Sequence, residues 1–171
     1  MTEGAQTEVW IGLGSNLGDS AHQLQAALNH LRPAINWTTV SPVYESRPMY
    51  VTDQPNFLNA VAKGVTHLGP LALLNSLKQT EQELGRVARY SNGPREIDLD
   101  LLAYGSLQFV AGDRLIIPHP RIAERRFVLA PWADLEPNWF VAGAGCVQDL
   151  LAQTKDAPES VWVSADAVLF V

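Results

Sequence analysis

Asn92-Gly93-Pro94-Arg95-Glu96-Ile97-Asp98-Leu99-Asp100-Leu101-Leu102 is the stretch from which the architecture can be read. Past the Gly-Pro turn apolar and acidic residues alternate, and a strand sends successive side chains to opposite faces. Ile97, Leu99 and Leu101 fall on one face, which the pattern predicts to be buried, while Asp98 and Asp100 project together on the other. Two carboxylates at that spacing repel, and burial adds to the cost, so a cation is expected between them. Oxygen ligands in this pattern suit Mg²⁺, which takes one or two carboxylates and completes its shell with waters and substrate phosphates. A strand edge carrying acids to discourage pairing gives the same D-x-D pattern. Arg95 just before the acids, with Arg86 and Arg89 upstream, tips the balance toward a metal–phosphate site.

Working upstream, Gly85 is a natural terminator for a helix predicted over 71–84, where Leu73, Leu74, Leu77 and Leu84 lie near one stripe. Glu81 shares that stripe, an acid where a core residue is expected. Before the helix, 54–66 reads as a strand in which Phe57 and Asn59 share a face. A ring beside an amide that both donates and accepts suits a flat heterocycle, and equally suits a core Phe with an Asn bonding neighbouring backbone. Residues 45–54 read as a polar surface loop, and 37–44 as a strand. Further back, a short strand over 9–13 meets Gly14-Ser15-Asn16-Leu17-Gly18-Asp19, with Asp19 or Ser20 capping a helix over 21–31. No Gly-Lys-Ser/Thr follows these glycines and their spacing misses G-x-G-x-x-G, so any nucleotide is held by other means.

Downstream, short strands are predicted over 107–110 and 115–117. Pro118-His119-Pro120-Arg121 then opens a turn into 122–130, read as helical in pieces, where His119, Arg121, Arg125 and Arg126 crowd ahead of Phe127. As a bland alternative, these arginines form a solvated face. A small helix is expected near 147–152, and the last dozen residues carry no legible chemistry. The order strand–helix–strand–strand–helix–strand predicts an α+β ferredoxin-like sandwich, a βαββαβ core with added C-terminal strands and short helices. That fold hosts enzymes, RNA binders and ligand sensors alike.

Composition narrows the classes. At 171 residues, 47% hydrophobic and 18% charged, the chain reads as one soluble domain spanning 1–171, with its core over about 8–155. The net charge of −6 argues against nonspecific binding to nucleic acid or to an anionic membrane. A single cysteine, Cys146, excludes an intrachain disulfide framework and a cysteine-only zinc site. With no apolar run near the ~20 residues of a membrane span and no leader pattern at the start, a cytoplasmic protein is expected.

Several separated motifs occur in the order found in one family: Gly14-Ser15-Asn16, Ser41-Pro42-Val43-Tyr44, Gln54-Pro55-Asn56-Phe57-Leu58-Asn59-Ala60, Gly85-Arg86, Gly93 through Asp100, and Pro118-His119-Pro120-Arg121. Over about residues 8 to 155 the chain resembles the 6-hydroxymethyl-7,8-dihydropterin pyrophosphokinases of folate biosynthesis. The resemblance implies transfer of a pyrophosphoryl group from ATP to the pterin hydroxymethyl oxygen, releasing AMP. It implies that Asp98 and Asp100 ligate two Mg²⁺ ions, and that Phe57 and Phe127 sandwich a pterin whose edge Asn59 binds. It places Arg86, Arg95, His119 and Arg125 around the triphosphate, with Arg86 and Arg95 catalytic beside the acids, and Glu81 on the nucleotide side. Ser91 and Asn92 stand where many relatives carry a basic residue and an aromatic, leaving Arg89 as the candidate replacement cation on ATP. Tyr50-Val51-Thr52 likewise replaces a commoner small or proline-containing stretch. The expected partners are these two small molecules, with no nucleic acid or membrane, and the expected state is a monomer. Two other classes compete, a pterin-binding module without turnover and an RNA-binding sheet, the latter at odds with an Asp-lined face. Replacing either aspartate with asparagine is expected to remove activity while apo stability holds or rises.

Overall fold

Val9, Ile11 and Leu13 alternate with Trp10, Gly12 and Gly14 along β1 (Thr7–Ser15), and this alternation divides the molecule into two faces. The computed structural model describes residues 5–171, and the expectation that the chain opens without a leader concerns residues outside this range. After β1 come α1 (Ser20–Leu31), β2 (Asn36–Val40), β3 (Tyr44–Ser46), β4 (Phe57–Thr66), α2 (Pro70–Glu83) and β5 (Asp98–Tyr104). The remainder supplies β6 (Phe109–Ala111), β7 (Leu115–Ile117), α3 (Arg126–Leu135), β8 (Phe140–Val141), β9 (Gly145–Cys146), α4 (Val147–Gln153) and β10 (Val161–Val163). The main sheet runs β10–β3–β4–β1–β5, β2 also pairs with β4, and every pairing in it is antiparallel. Among the described residues the fold is thus a mixed α/β arrangement of an antiparallel sheet and four α-helices.

On one face Val9, Ile11, Leu13, Ile97 and Leu99 pack beneath α1 and α2, which contribute Leu24, Leu28, Leu73 and Leu77. Local signals explain both helices. The Asp19 carboxylate accepts the His22 N–H at 3.1 Å to cap α1, and Pro70 opens α2 where its missing N–H costs nothing. Gly85, at φ +86°, takes the left-handed conformation that ends α2. The opposite face is partly covered by α3 and α4, with Trp10, Val61, Leu102, Leu129 and Trp132 forming a second core.

Two expectations are corrected. The strand read over 37–44 is two strands, because Ser41-Pro42 interrupts it: the Ser41 side-chain oxygen accepts the Val61 N–H at 3.0 Å, and its own N–H donates to the Val61 carbonyl at 2.9 Å. The helix expected to end near Ala130 continues through Pro131 to Leu135. An interior proline costs about 3 kcal/mol, and burial of Val128, Leu129 and Trp132 against the sheet offsets it. Among the described residues no helix is long and apolar enough to cross a membrane.

Candidate active site

Where α3 and α4 stop covering the second face, the sheet floors a pocket. Along β1 that face reads Trp10, Gly12, Gly14; along β4, Val61, Asn59, Phe57; along β5, Leu102, Asp100, Asp98. The register sets Gly14 opposite both Asn59 and Asp98, and Gly12 opposite Val61 and Asp100. The large residues at one end of each row fill the second core, and the glycines at the other end leave space. The resulting cleft is lined by Phe57, Asn59, Arg95, Asp98, Asp100, Arg125 and Phe127, among others.

Arginines surround the two acids. Arg86 Nη1 lies 2.8 Å and Arg95 Nη1 3.3 Å from the Asp98 carboxylate, and Arg125 Nη1 lies 3.4 Å from that of Asp100. The acids are nevertheless inequivalent. Burial opposes the charge on Asp98, but Arg95 and Arg86 outweigh it and hold its carboxyl below the ordinary carboxylate range. Burial and then the neighbouring Asp98 charge push Asp100 up to about 6, against the pull of Arg125. Asp98 is therefore the stronger acid of the two, and Asp100 carries the unrelieved repulsion.

Phe57 and Phe127 both line the cleft, and each meets a guanidinium: Arg95 lies 5.3 Å from the Phe57 ring centre and Arg125 5.8 Å from that of Phe127. Asn59 is buried, and its side-chain NH₂ donates to Ser46 Oγ at 2.8 Å, not to neighbouring backbone. Each aspartate thus shares its arginine with one of the two rings.

The other residues singled out lie around this cleft without lining it. Glu81 is buried behind β5, where its Oε1 accepts the Leu99 N–H at 2.7 Å and meets Arg86 Nη1 at 2.6 Å. Lys78, one turn earlier, donates to the Leu99 carbonyl at 3.3 Å. The acid in the apolar stripe of α2 therefore closes the open edge of β5 and orients Arg86 toward Asp98. Arg89 forms a two-pronged pair with Glu96, at 2.7 and 2.9 Å, which lowers the Glu96 carboxyl to about 2. His119 donates its backbone N–H to the Leu102 carbonyl at 2.9 Å, and its Nδ1 accepts the Arg121 N–H at 3.2 Å. Burial and then Arg125 lower its pKa to about 4, so the ring is neutral at pH 7 with its proton on Nε2.

Asn16 is a site residue that sequence reasoning passed over as part of a glycine turn. It exchanges two hydrogen bonds with the Arg95 backbone, at 2.9 and 3.1 Å, while its side-chain NH₂ donates to Gln54 Oε1 and to the Pro55 carbonyl, both at 3.0 Å. Gln54 in turn donates to the Asn92 carbonyl at 2.9 Å. One buried amide thus joins the loops on either side of the cleft. The signal was its place in the Gly14-Ser15-Asn16 motif, but nothing local shows that its partners lie in distant loops.

The donor set bears on which metal the site accepts. Among the described residues no three His, Cys, Asp or Glu side chains converge into a metal cage. Paired same-face carboxylates fit a hard cation such as Mg²⁺, which draws its other ligands from water and phosphate, and do not fit structural zinc.

Fold and pocket together define an α/β ligand-binding domain with an aromatic–amide wall facing a carboxylate–arginine wall. The family profile described as 7,8-dihydro-6-hydroxymethylpterin-pyrophosphokinase matches residues 10–137, and the chain belongs to that family. A 2-amino-4-hydroxy-6-hydroxymethyldihydropteridine pyrophosphokinase of Pseudomonas aeruginosa is 42% identical over 84% of this chain and 90% of that protein. A mitochondrial folate synthesis bifunctional protein of Arabidopsis thaliana is 48% identical over 78% of this chain, which spans only 24% of that relative's length. A Plasmodium falciparum HPPK-DHPS structure superimposes with a TM-score of 0.73 at 13% identity, over 95% of this chain and 47% of that one. That likeness concerns the fold alone.

Proposed function

We propose that the protein transfers the pyrophosphoryl group of ATP to 6-hydroxymethyl-7,8-dihydropterin, giving AMP and the pterin diphosphate, a step of folate biosynthesis. The observation that carries this reading is one cleft with two unlike walls, Phe57, Asn59 and Phe127 facing Asp98, Asp100, Arg95 and Arg125. The aromatic–amide wall suits a flat, hydrogen-bonding heterocycle between two rings, and the other wall suits a metal-bound polyphosphate. The reaction forms a bond from the pterin hydroxyl oxygen to the β-phosphorus and breaks the bond from that phosphorus to the oxygen bridging the α-phosphorus. AMP departs with that oxygen, and the hydroxyl proton passes to solvent.

Asp98 and Asp100 are the residues to hold Mg²⁺, two ions in our reading. When bound, the metal neutralises developing charge on the phosphates and acidifies the attacking hydroxyl. The protein's own groups do the positioning. Asn59, fixed by Ser46, reads the ring edge, and the two phenylalanines hold the ring plane. Arg95 and Arg125 bind phosphate oxygens on leaving the carboxylates, and Arg86 completes the cationic side from Glu81. Neutral His119 offers its Nε2–H as a further donor to the nucleotide, and Arg89 joins only by leaving Glu96. No side chain is required as a dedicated base.

The strand order β5–β1–β4 followed by β2 and β3 supports a ferredoxin-like description, and two cores sharing one sheet support a single domain. The lone Cys146, with no disulfide, suits a reducing cytoplasm, where we take the protein to act as a monomer. The test is incubation with ATP, Mg²⁺ and 6-hydroxymethyl-7,8-dihydropterin. Metal-dependent release of AMP supports the reading, ADP would mark an ordinary kinase, and no nucleotide product would leave a binding module.

A further inference from the structure

The last residues of the chain, which carry no motif and lie beyond the family match, reach the wall of the pocket. β3 has three residues, stands between Pro42 and Pro48, and pairs on one edge with β4. Prolines at both ends prevent β3 from lengthening its ladder, so its other edge depends on a partner. β10 is that partner. Val161, Trp162 and Val163 pair with Ser46, Glu45 and Tyr44, the Arg47 N–H donates to the Ser160 carbonyl at 3.1 Å, and the Ser164 N–H donates to the Val43 carbonyl at 2.8 Å.

Beyond β10 the chain crosses to α1. Ala167 and Leu169 are buried in the core under that helix, and Gln25 exchanges two hydrogen bonds, both 2.9 Å, with the backbone of Phe170. The segment therefore spans from a rigid helix to the outer edge of β3. From there Ser46 and Arg47 line the cleft, and Ser46 Oγ holds the Asn59 amide.

We propose that residues 160–170 are a strap that positions the heterocycle-reading wall of the cleft, with the Ser164 N–H and Gln25 as its two fastenings. This rests on the pterin assignment above. With the strap loosened, β3 keeps its ladder to β4 and the bond from the Tyr44 hydroxyl to Asp134 of α3 but loses its outer edge, so Ser46 is held less firmly and the Asn59 amide it orients is loosened. Asp98 and Asp100, on β5, stand at the other end of the sheet from β10. The strap therefore acts on pterin affinity and leaves nucleotide affinity alone.

The experiment compares Ser164→Pro, which removes the N–H donor, with Ser164→Ala, which keeps it, and with Gln25→Ala at the other fastening. Binding of 6-hydroxymethyl-7,8-dihydropterin is titrated with a non-hydrolysable ATP analogue and Mg²⁺ present, and binding of that analogue is titrated separately. Amide exchange of residues 43–47 reads the strap's grip without any ligand. The expected result is pterin affinity about tenfold weaker in Ser164→Pro and Gln25→Ala, the effect of one lost positioning hydrogen bond. Exchange at 43–47 is faster in both, analogue affinity is unchanged, and Ser164→Ala matches wild type. Should Ser164→Pro fail to fold, Gln25→Ala decides, since its side chain is half-buried at the surface of α1 and outside the core. Unchanged pterin affinity and exchange in Gln25→Ala, or equal loss of both ligands, overturns the strap. A wild-type protein that binds the analogue but not the pterin overturns the assignment and the strap's role with it, while the exchange data still report whether β3 is held.

Discussion

Asp98 and Asp100 are two residues apart and chemically unlike. Asp98 has a depressed folded-state pKa, so its charge is favoured by folding, and the benefit is lost as pH falls through that pKa. Asp98→Asn should therefore lower apo stability, unlike the common expectation for both acids drawn from their spacing. Asp100, at about 6 against an ordinary value near ~3.9, holds its proton in the folded state while the unfolded chain gives it up. Its contribution to stability is complete below the ordinary value and is lost as pH rises to about 6. Asp100→Asn should thus gain stability over wild type across that window and keep a constant advantage above it, on the order of 3 kcal/mol. Urea unfolding of both variants at several pH values checks the pair, and both should lose most turnover. His119 carries the opposite sign. Its folded value near 4 lies below the ordinary one, so the unfolded chain takes the proton first and stability falls as pH drops from ~6.5 toward 4. His119→Asn should lose less stability than wild type over that range, and an equal loss would mean the ring is not buried neutral. Asp100 must also release its proton to a metal, so Mg²⁺ affinity, read by calorimetry with an ATP analogue, should tighten as pH rises through about 6.

At the scale of elements, two glycines in paired strands have opposite duties. A methyl at Gly64 in β4 would stand 2.5 Å from Ile35 Cγ2 and 2.8 Å from the Asn36 carbonyl oxygen, so Gly64→Ala should destabilise the fold by about 1–3 kcal/mol. A methyl at Gly14 in β1 would meet nothing nearer than Asn59 Oδ1 at 3.5 Å. Gly14→Ala should melt near the wild-type temperature and raise the pterin KM, because the new group stands on the pocket floor. A large drop in melting temperature for Gly14→Ala would return that position to the core. The loop before β5 gives a further test. Glu96 ties it down through Arg89 and through the Val87 N–H at 3.3 Å. Glu96→Gln should speed tryptic cleavage after Arg89 in the ligand-free protein, and bound nucleotide should restore resistance if Arg89 then finds phosphate. Cleavage at the wild-type rate would show that the pair does not hold the loop.

Across the whole molecule, what was legible in the sequence was what one stretch of chain determines for itself. The two-residue period put Ile97 and Leu99 in one core and both aspartates on the other face, and helical spacing found α1 and α2 with their caps. Contacts between distant stretches were not legible. Glu81 looked like a misplaced acid until β5 presented an edge N–H beside it, and Asn16 looked like a turn residue until Arg95 and Gln54 met it. The Ser41 break and the passage of α3 through Pro131 depend on packing partners far along the chain, which local propensity does not encode. The C-terminal residues read as featureless because their partners, β3 and Gln25, lie more than a hundred residues away. If the two walls of one cleft hold a pterin against the β-phosphorus of ATP as proposed, the decisive measurement is a single turnover of ATP labelled at that phosphorus with 6-hydroxymethyl-7,8-dihydropterin and Mg²⁺. The β-label should move to the pterin together with the γ-phosphorus, and the AMP released should be unlabelled. Label retained in a nucleotide product would contradict the proposed transfer.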